Sequence, residues 1–344
     1  MDRVEVLIVG GGPAGSSCAW ALGKAGVESL ILDAEDFPRH KLCAGWITPT
    51  VVDLLEMDPA TYPHSFLTFP EVSCEYHGRR SVRRFTLRSV QHSIRRVEFD
   101  DWLLRRSGAR FQKHAVREIR RVDGGDGGYV VDDRFQCKFL VGAGGTHCPV
   151  RRSQFPEGRP RHREYQVAAL EEEFFYPERD SSCRLWFAEN GLAGYSWFVP
   201  KGNGWLNVGL GAFSKHLDRS GPGLRDHWQS FVRKLSDLGL VKGHDLHPRG
   251  HTYFVRPPAQ DVRHEGCFLA GDSAGLATRD LAEGIGPAIE SGLLAARAIV
   301  TGGPYALGGM TKYSYLPPGW ITNLAESVLD RGGGFFRDRV FGRR

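Results

Sequence analysis

The chain has 344 residues, 41% of them hydrophobic and 25% charged, with a formal net charge of +5, an ordinary balance for a globular protein with a large core. Its seven cysteines form no C-x-x-C pair and its thirteen histidines show no ligand spacing, so we exclude a disulfide framework and a metal site and expect a reducing compartment. No apolar run reaches the length of a membrane span, and the apolar start is too short for a signal peptide, so we expect a cytoplasmic protein.

The N-terminal segment predicts a strand, a helix and a second strand. Residues 4–9 and 27–33 are short apolar runs typical of buried strands. Between them, residues 16–25 have the small and apolar side chains of a closely packed helix, which ends at Gly26. A strand, a glycine turn, a helix and a strand in this order predict a βαβ unit.

A glycine fingerprint occupies the turn between the first strand and the helix, and it reads Gly10-x-Gly12-x-x-Gly15. In such a turn the first glycine makes the tight bend, the second lets the backbone approach a pyrophosphate, and the third lets the helix pack on the strand. The N-terminus of the helix then faces the phosphates. Asp33 ends the second strand, where an acid binds a ribose hydroxyl. The segment therefore predicts a dinucleotide site.

Arginines crowd the stretch between residues 79 and 121. Two interpretations stay open: a solvated basic face, or a surface for an anionic partner such as a phosphorylated cofactor, an acidic protein or a lipid headgroup. No nucleic-acid-binding module is visible, so we expect no nucleic acid partner. The arginines concerned include Arg79, Arg80, Arg83, Arg84, Arg95, Arg96, Arg105 and Arg106.

The middle of the chain predicts one helix and then mostly strands. Residues 96–106 predict a helix whose first turn holds Asp100 or Asp101. Residues 139–141 predict a strand that runs into the glycine-rich residues 142–145. From about residue 166 to residue 213 apolar and polar residues alternate, with several aromatics among them, which predicts antiparallel strands.

A second nucleotide-type turn lies towards the end of the chain. Residues 268–270 predict a short buried strand followed by Gly271-Asp272, and residues 283–300 predict a helix rich in alanine and glycine. Beyond Thr301 the chain is punctuated by glycine and proline, and residues 335–344 mix apolar and basic side chains. That tail is either a packed or frayed terminus or a contact with an anionic bilayer.

This late segment resembles the flavoproteins related to the aromatic hydroxylases. In that class the aspartate that matches Asp272 binds the ribityl chain of FAD. The helix that matches the one opened by Glu283-Gly284-Ile285-Gly286 points its N-terminus at the flavin ring, where its dipole stabilises the negative charge of the reduced form. The two turns stand about 255 residues apart, and one extended cofactor that touches both explains them, which favours FAD over NAD.

A narrower resemblance is carried by four segments in order along the chain, residues 38–45, 96–103, 194–202 with 207–211, and 282–292. Through them the chain resembles, within this class, the geranylgeranyl reductase family over most of its length, up to about residue 300. It departs from the family at Val199, where phenylalanine is usual, and at Leu192, where proline is common. Gly144 stands where many hydroxylases have aspartate, which weakens a hydroxylase interpretation.

The patterns and the resemblance together predict an α/β fold with two parts. A discontinuous Rossmann-type FAD-binding domain takes residues 1–65, 90–155 and 255–300. An inserted, mainly antiparallel β-sheet substrate domain takes residues 66–89 and 156–254 and roofs the isoalloxazine ring. Residues 301–344 form a C-terminal helical or irregular segment.

The resemblance also implies the site residues. Cys43 is the candidate catalytic residue, either shaping the site or taking part in proton transfer, with a packing role as the alternative. Tyr195 and Trp197 are candidate substrate contacts, favoured over Trp186 and Phe198, and plain core packing is the alternative for all four. The expected FAD-binding residues are Gly10, Gly12, Pro13, Ala14, Gly15, Asp33, Ala34, Arg39, Lys41, Cys43, Ala44, Gly45, Arg96, Gly144, Gly271, Asp272, Gly284, Ile285 and Gly286.

The family implies an FAD-dependent oxidoreductase that reduces carbon–carbon double bonds of an isoprenoid or similar apolar substrate by hydride transfer from reduced flavin. The proton comes from solvent or a nearby acid. No second glycine fingerprint is present, so NAD(P)H docks transiently or another electron donor reduces the flavin.

Two alternatives to the reductase stay open. One is a flavin-dependent monooxygenase or halogenase, because residues 194–200 are close to a halogenase signature. The other is a non-catalytic FAD-binding protein. The expected partner is an apolar small molecule, peripheral membrane contact is an open option, and the oligomeric state is not predicted.

Overall fold

The computed structural model describes residues 1–78, 80–122, 127–156, 163–177, 180–217, 221–258 and 261–310. Its α-helices in these ranges are α1 Pro13–Lys24, α2 Pro49–Leu54, α3 Arg96–Arg106, α4 Pro149–Gln154, α5 Leu224–Asp237 and α6 Ile285–Thr301. Its strands are β1 Asp2–Val9, β2 Ser29–Asp33, β3 Trp46–Ile47, β4 Phe66–Phe69, β5 Val72–His77, β6 Val82–Leu87, β7 Gln91–Ile94, β8 Arg110–Lys113, β9 Ile119–Arg121, β10 Tyr129–Val131, β11 Phe135–Gly142, β12 Gln166–Phe175, β13 Cys183–Phe187, β14 Gly194–Lys201, β15 Trp205–Phe213, β16 Arg249–Phe254, β17 Arg263–His264 and β18 Cys267–Leu269.

The first sheet has a parallel centre. Its order is β17-β18-β11-β1-β2-β8, and β1 pairs in parallel with both β2 and β11. β18 and β8 continue the parallel part on either side, whereas β10 and β17 add antiparallel pairings. Val6, Leu7 and Ile8 are all fully buried although successive side chains alternate between faces, which is typical of a parallel sheet covered on both sides. The predicted α/β class with a parallel sheet is confirmed.

The second sheet is mainly antiparallel, in the order β16-β12-β15-β14-β13-β5-β6 with a parallel pairing between β13 and β5. The strands expected between residues 166 and 213 are β12 to β15. Helix α5 covers one face of this sheet with Trp228, Phe231 and Leu235. We did not predict α5, although these three residues have helical spacing.

A third, three-stranded sheet in the order β3-β7-β4 lies next to α2 and α3. Ile47 of β3, Val51 of α2 and Phe99 of α3 share one buried cluster with Ile285 and Ile289 of α6. This cluster fixes the chain that follows Cys43, whose side chain packs against it, and joins that part of the chain to the start of α6.

Helices α1 and α6 are in direct contact although they lie at opposite ends of the chain. A Cβ atom built on Gly292 of α6 would overlap the carbonyl oxygen of Ala14 in α1. The backbones therefore approach as closely as glycine permits. The two glycine turns that precede these helices are held on the same side of the first sheet as a result.

Helix α1 begins earlier than predicted, and helix α6 begins later. α1 begins at Pro13 rather than at residue 16, because Gly12 is the N-cap and the fixed φ of proline suits the first helical position. α6 begins at Ile285 rather than at residue 283, with Gly284 as its N-cap.

The predicted helix over residues 96–106 matches α3, but the prediction for its first turn was wrong. The acid in the first turn is Glu98, whereas Asp100 and Asp101 lie in the second turn. Asp100 points inwards and pairs with Arg96 instead of interacting with the helix N-terminus.

The arginine-rich stretch does not place all its side chains on one surface. Arg83 and Arg84 are exposed on β6, the edge strand of the second sheet. Arg96 is buried and pairs with Asp100, and Arg95 pairs with Glu173. Arg79 lies outside the described residues, as do the tail at 335–344 and most of the predicted C-terminal segment. Within the described ranges, we find no helix whose length and hydropathy suffice to cross a bilayer.

Candidate active site

A cavity of about 1140 Å³ is lined by residues from both of the larger sheets. Three of the residues predicted to bind FAD, Gly15, Gly45 and Gly286, lie outside its lining. The structure brings the other predicted site residues together around the cavity: Gly10, Gly12, Pro13, Ala14, Asp33, Ala34, Arg39, Lys41, Cys43, Ala44, Arg96, Gly144, Tyr195, Trp197, Gly271, Asp272, Gly284 and Ile285.

The first glycine turn requires glycine at two of its three positions. Gly10 has φ +112°, and a Cβ atom on it would overlap the carbonyl oxygen of Ala143, which lies in the glycine-rich residues 142–145. A Cβ atom on Gly15 would overlap the carbonyl oxygen of Gly10. At Gly12 the added atom would lie 3.2 Å from Nη2 of Arg39, at the cavity wall. Gly15 does not line the cavity, but its lack of a side chain allows the helix to pack against the turn at Gly10.

Asp33 ties the end of β2 to the glycine turn. Its Oδ2 accepts a hydrogen bond from the Gly11 amide at 2.8 Å, and its Oδ1 accepts one from the Glu35 amide at 3.0 Å. These bonds fix the carboxylate at the cavity wall, and each oxygen retains acceptor capacity for a ribose hydroxyl.

The second turn lies directly against the first helix. Gly271 has φ +61°, and a Cβ atom on it would lie 3.2 Å from the Cβ atoms of both Ala14 and Ala288. The Gly271 amide donates to the Ser291 hydroxyl at 2.9 Å, which donates to the Ala288 carbonyl at 3.0 Å. Asp272, the next residue, lines the cavity. The structure thus brings together the two turns that stand about 255 residues apart in the sequence.

The lining fits FAD. The N-termini of α1 and α6 both open on the cavity, and neither helix has an acidic residue in its first turn, so their positive ends are available to anionic groups. Glycine backbone forms the wall at Gly10 and Gly271, where larger residues would clash. Among the residues that the structure describes, no three histidine, cysteine or acidic side chains gather as a metal site.

Comparison with known proteins supports the same cofactor. A family model described as an FAD binding domain matches residues 3–58. Menaquinone reductase from Mycolicibacterium smegmatis is 27% identical, covering 94% of this chain and 81% of the relative. Digeranylgeranylglycerophospholipid reductase from Thermoplasma acidophilum is 24% identical, covering 92% of this chain and 83% of the relative.

Solved structures share the fold. A geranylgeranyl bacteriochlorophyll reductase-like protein from Thermoplasma acidophilum has a TM-score of 0.71 at 22% identity, covering 87% of this chain and 78% of its own. By these similarities the chain resembles the geranylgeranyl reductases, and its FAD-binding segment is that of an FAD-dependent oxidoreductase. A flavin-dependent brominase has a TM-score of 0.67 at 19% identity, covering 96% of this chain and 84% of its own, so the fold is shared beyond the reductases.

In this flavoprotein the segment around Cys43 is anchored by buried charge. Asp100 is fully buried and accepts two hydrogen bonds from Arg96, at 2.7 and 2.8 Å, while Nη1 of Arg39 lies 3.3 Å away. Burial opposes the charge of Arg96, but Asp100 and the neighbouring Cys43 thiol hold the pKa of this guanidinium above its usual value. The Cys43 sulfur also accepts a bond from the Gly45 amide at 3.3 Å. Cys43 thus lines the cavity from a segment that is held by contacts with Arg96 and Gly45.

Aromatic side chains from β14 also line the cavity. Trp197 donates from Nε1 to Oδ1 of Asn207 at 2.7 Å, and the Tyr195 hydroxyl donates to the Leu281 carbonyl. The Tyr195 and Trp197 rings lie 5.7 Å apart, and burial raises the pKa of Tyr195 well above its usual value. Trp186 and Phe198 lie outside the cavity, in the cluster beneath α5.

Three consecutive glutamates of β12 occupy three different environments. Glu172 accepts a hydrogen bond from His244 at 2.9 Å and another from the His247 amide, whereas Glu173 pairs with Lys201 and with Arg95. Burial alone would raise the pKa of Glu173, but the charges of Lys201 and Arg95 outweigh it and lower this pKa below its usual value.

Glu171, the first of the three, lies in the cavity wall and is fully buried. Burial raises the pKa of Glu171 to about 7. We did not single out Glu171, nor His251 and Tyr253 of the neighbouring strand, which also line the cavity. The sequence does contain a clue, because Glu171 shares the buried register of Val167 and Ala169 on a strand with period two.

Proposed function

We propose that this flavoprotein reduces carbon–carbon double bonds of an isoprenoid or another apolar substrate. The observation that carries the proposal is the mixed lining of the cavity. Glycine backbone and charged side chains line part of it, and an apolar cluster that we call the aromatic end lines another part: Leu185, Tyr195, Trp197, Val199 and Leu281. An extended nucleotide suits the glycine turns and an apolar chain suits the aromatic end. Relatives named menaquinone reductase and digeranylgeranylglycerophospholipid reductase support an isoprenoid substrate.

We assign the FAD-binding role to a Rossmann-type domain made of residues 1–65, 90–155 and 255–300, and the roof of the cavity to residues 66–89 and 156–254. Within the first part, the Gly10 turn and the N-terminus of α1 would hold the pyrophosphate, Asp33 a ribose, and Asp272 the ribityl chain. Reduced FAD, when bound, supplies a hydride; NAD(P)H or another carrier is the proposed electron donor.

The chain's own side chains would position the substrate and exclude water. Tyr195 and Trp197 are held by hydrogen bonds to Leu281 and Asn207, so their rings present fixed apolar faces. We propose that Cys43, fixed beside Arg96, shapes the site between the glycine turns and the aromatic end. A cytoplasmic location with the substrate delivered from a membrane surface is compatible with this arrangement.

The direct test is single turnover without oxygen. Reduced, FAD-loaded protein mixed with prenyl substrates should reoxidise its flavin and add two mass units for each double bond, measured by absorbance and mass spectrometry. No reoxidation with any prenyl compound would contradict the proposal. An FAD-loaded protein that no donor reduces would favour the non-catalytic alternative.

A flavin-dependent monooxygenase or halogenase is the second candidate, favoured by the shared fold of the brominase and by the Gly-Tyr-x-Trp-x-Val-Pro segment at residues 194–200. It differs in needing oxygen. Product that forms only in air, with a transient peroxide absorbance of the flavin, would favour this candidate over the reductase.

Replacing Trp197 with phenylalanine should weaken substrate binding. The change shortens the apolar wall and leaves Oδ1 of Asn207 without the indole donor. We expect the KM for a prenyl substrate to rise about tenfold, equivalent to about 1.4 kcal/mol, with FAD affinity unchanged. Trp186→Phe is the matched control, since Trp186 packs beneath α5 outside the cavity, and an equal rise in its KM would argue against a substrate contact at Trp197.

A further inference from the structure

Glu171 is a fully buried acid, and among the described residues neither of its carboxyl oxygens makes a hydrogen bond of good geometry, although the Asn207 side chain is a polar neighbour. It lines the same cavity as Tyr195 and Trp197. Ionising a carboxyl group in such a place is costly, because burial removes the solvent that would stabilise the charge. The neutral acid is therefore favoured up to about pH 7, and it carries a proton beside the aromatic end of the cavity.

Backbone packing holds Glu171 in this place. Glu171 faces Gly209 on β15, and a Cβ atom added to Gly209 would lie 2.8 Å from the Cβ of Glu171 and overlap the Trp197 ring. Only glycine at this position leaves room for both side chains. The Glu171 side chain therefore packs close to the indole that we assign to the substrate, and Asn207 is a polar neighbour of both.

Charged groups face Glu171 from several elements, but within the described ranges no lysine or arginine forms an ion pair with it, and His251 is the group at ion-pair distance. Burial raises the pKa of Glu171 to about 7, and Glu173 adds to the rise, whereas Lys201, Asn207 and Lys41 lower it. Lys201 is engaged with Glu173 in an ion pair, so its charge is already largely compensated. The carboxyl group therefore titrates near neutral pH.

His251 of β16 lies beside Glu171 and is the more exposed of the two residues. Its Nδ1 is 3.6 Å from Oε1 of Glu171, and its side chain is 20% exposed, while that of Glu171 is 1% exposed. The imidazole stacks on Tyr253, with the ring centroids 5.4 Å apart. Burial, together with Lys41 and Arg96, lowers the pKa of His251 to about 4, so the ring is neutral and can accept a proton on one nitrogen and release it from the other.

We propose that Glu171 is the acid that protonates the substrate double bond and that His251 returns a proton to it from solvent. This inference rests on the proposed reductase function. Reduced FAD, when bound, would supply the hydride that adds to one alkene carbon. The π electron pair of the double bond then forms the second C–H bond with the Glu171 proton, which leaves a carboxylate. A solvent proton relayed by His251 restores the acid, so the net uptake is one hydride and one proton for each double bond.

The first experiment compares Glu171→Gln with Glu172→Gln in FAD-loaded protein. Glutamine keeps the size of Glu171 but has no acidic proton, and Glu172 is the next residue, on the opposite face, bonded to His244. For Glu171→Gln we expect alkene-dependent flavin reoxidation to slow about a hundredfold or more, with unchanged FAD affinity and unchanged flavin reduction by donor. Glu172→Gln should stay within about twofold. The wild-type rate should fall about tenfold per pH unit above about pH 7, and the Glu171→Gln rate should not.

The second experiment needs no substrate. The folded protein holds the Glu171 proton more tightly than the unfolded chain, whose glutamate has an ordinary pKa near 4.5, so wild-type stability should fall as the pH rises from about 4.5 to about 7. Glu171→Gln lacks this loss. The thermal midpoint of the variant, relative to wild type, should therefore be higher at pH 8 than at pH 5, whereas the midpoint of Glu172→Gln relative to wild type should show no such rise.

The outcomes separate the two proposals. Wild-type protein that reduces no prenyl compound overturns the reductase function and the proton donation with it. Wild-type and Glu171→Gln proteins that reduce substrate equally fast overturn the proton donation alone, as do parallel pH–stability profiles. For the relay, His251→Gln should slow steady-state turnover while leaving the rate of the first turnover unchanged. A variant that matches the wild-type rate in both the first turnover and the steady state would show that His251 does not relay the proton.

Discussion

An Asp100→Asn variant should lose about 3–5 kcal/mol of its free energy of unfolding. Asp100 is fully buried, receives two hydrogen bonds from Arg96 and lies 3.3 Å from Arg39. Asparagine keeps the shape of the side chain but removes the negative charge. The Arg96 guanidinium then stays buried beside a second cation with no counter-charge, which is the costly way to break an internal ion pair.

Urea denaturation of the FAD-free protein measures this loss, and the same helix supplies the control. Asp101 pairs with Arg105 at 2.7 Å, but Arg105 is 69% exposed, so Asp101→Asn should change stability by no more than about 1 kcal/mol. Similar losses in the two variants would mean that the position in α3, and not the buried charge, determines the effect.

The parts of the fold that could be predicted are those that depend on patterns of neighbouring residues in the sequence. The first strand, the Gly10 turn, the first helix and Asp33 form one continuous signal, and the late turn at Gly271 has the same kind of local pattern. Their convergence was also predictable, because one extended cofactor requires both turns. The structure places Gly271 beside Ala14, in agreement with that reasoning.

The parts that sequence did not reveal depend on partners far along the chain. Asp100 was expected to lie in the first turn of α3, since helix termini attract acids, but a buried Arg96 four residues earlier determines its role. Glu171 belongs to no motif that we recognised in the sequence. Its chemistry arises because β15 places Gly209 opposite it and β16 places His251 nearby, and strand pairing of that kind is not encoded in neighbouring residues.

Replacing Gly292 with alanine should cost about 2–3 kcal/mol of stability and weaken FAD binding at least about tenfold. The added methyl group would overlap the Ala14 carbonyl oxygen, and it would also lie 3.1 Å from the carbonyl carbon of that residue and 3.2 Å from the Cys18 amide nitrogen. These are backbone atoms, which cannot rotate away, so α1 and α6 must separate. Thermal unfolding and FAD titration by flavin fluorescence measure the two effects.

Gly23→Ala is the matched control, because the added atom would lie 3.6 Å from the Ser107 carbonyl oxygen, an ordinary contact, and alanine favours a helix more than glycine does. We expect the control to be neutral or slightly more stable and to bind FAD normally. The loss of FAD affinity at Gly292 has a specific cause: α1 carries the first glycine turn, and Gly271 packs against both Ala14 and Ala288. Separation of the helices would move the two glycine turns apart, and with them the two parts of the FAD site. Normal FAD affinity in a destabilised Gly292→Ala protein would therefore show that the cofactor does not bridge the two turns.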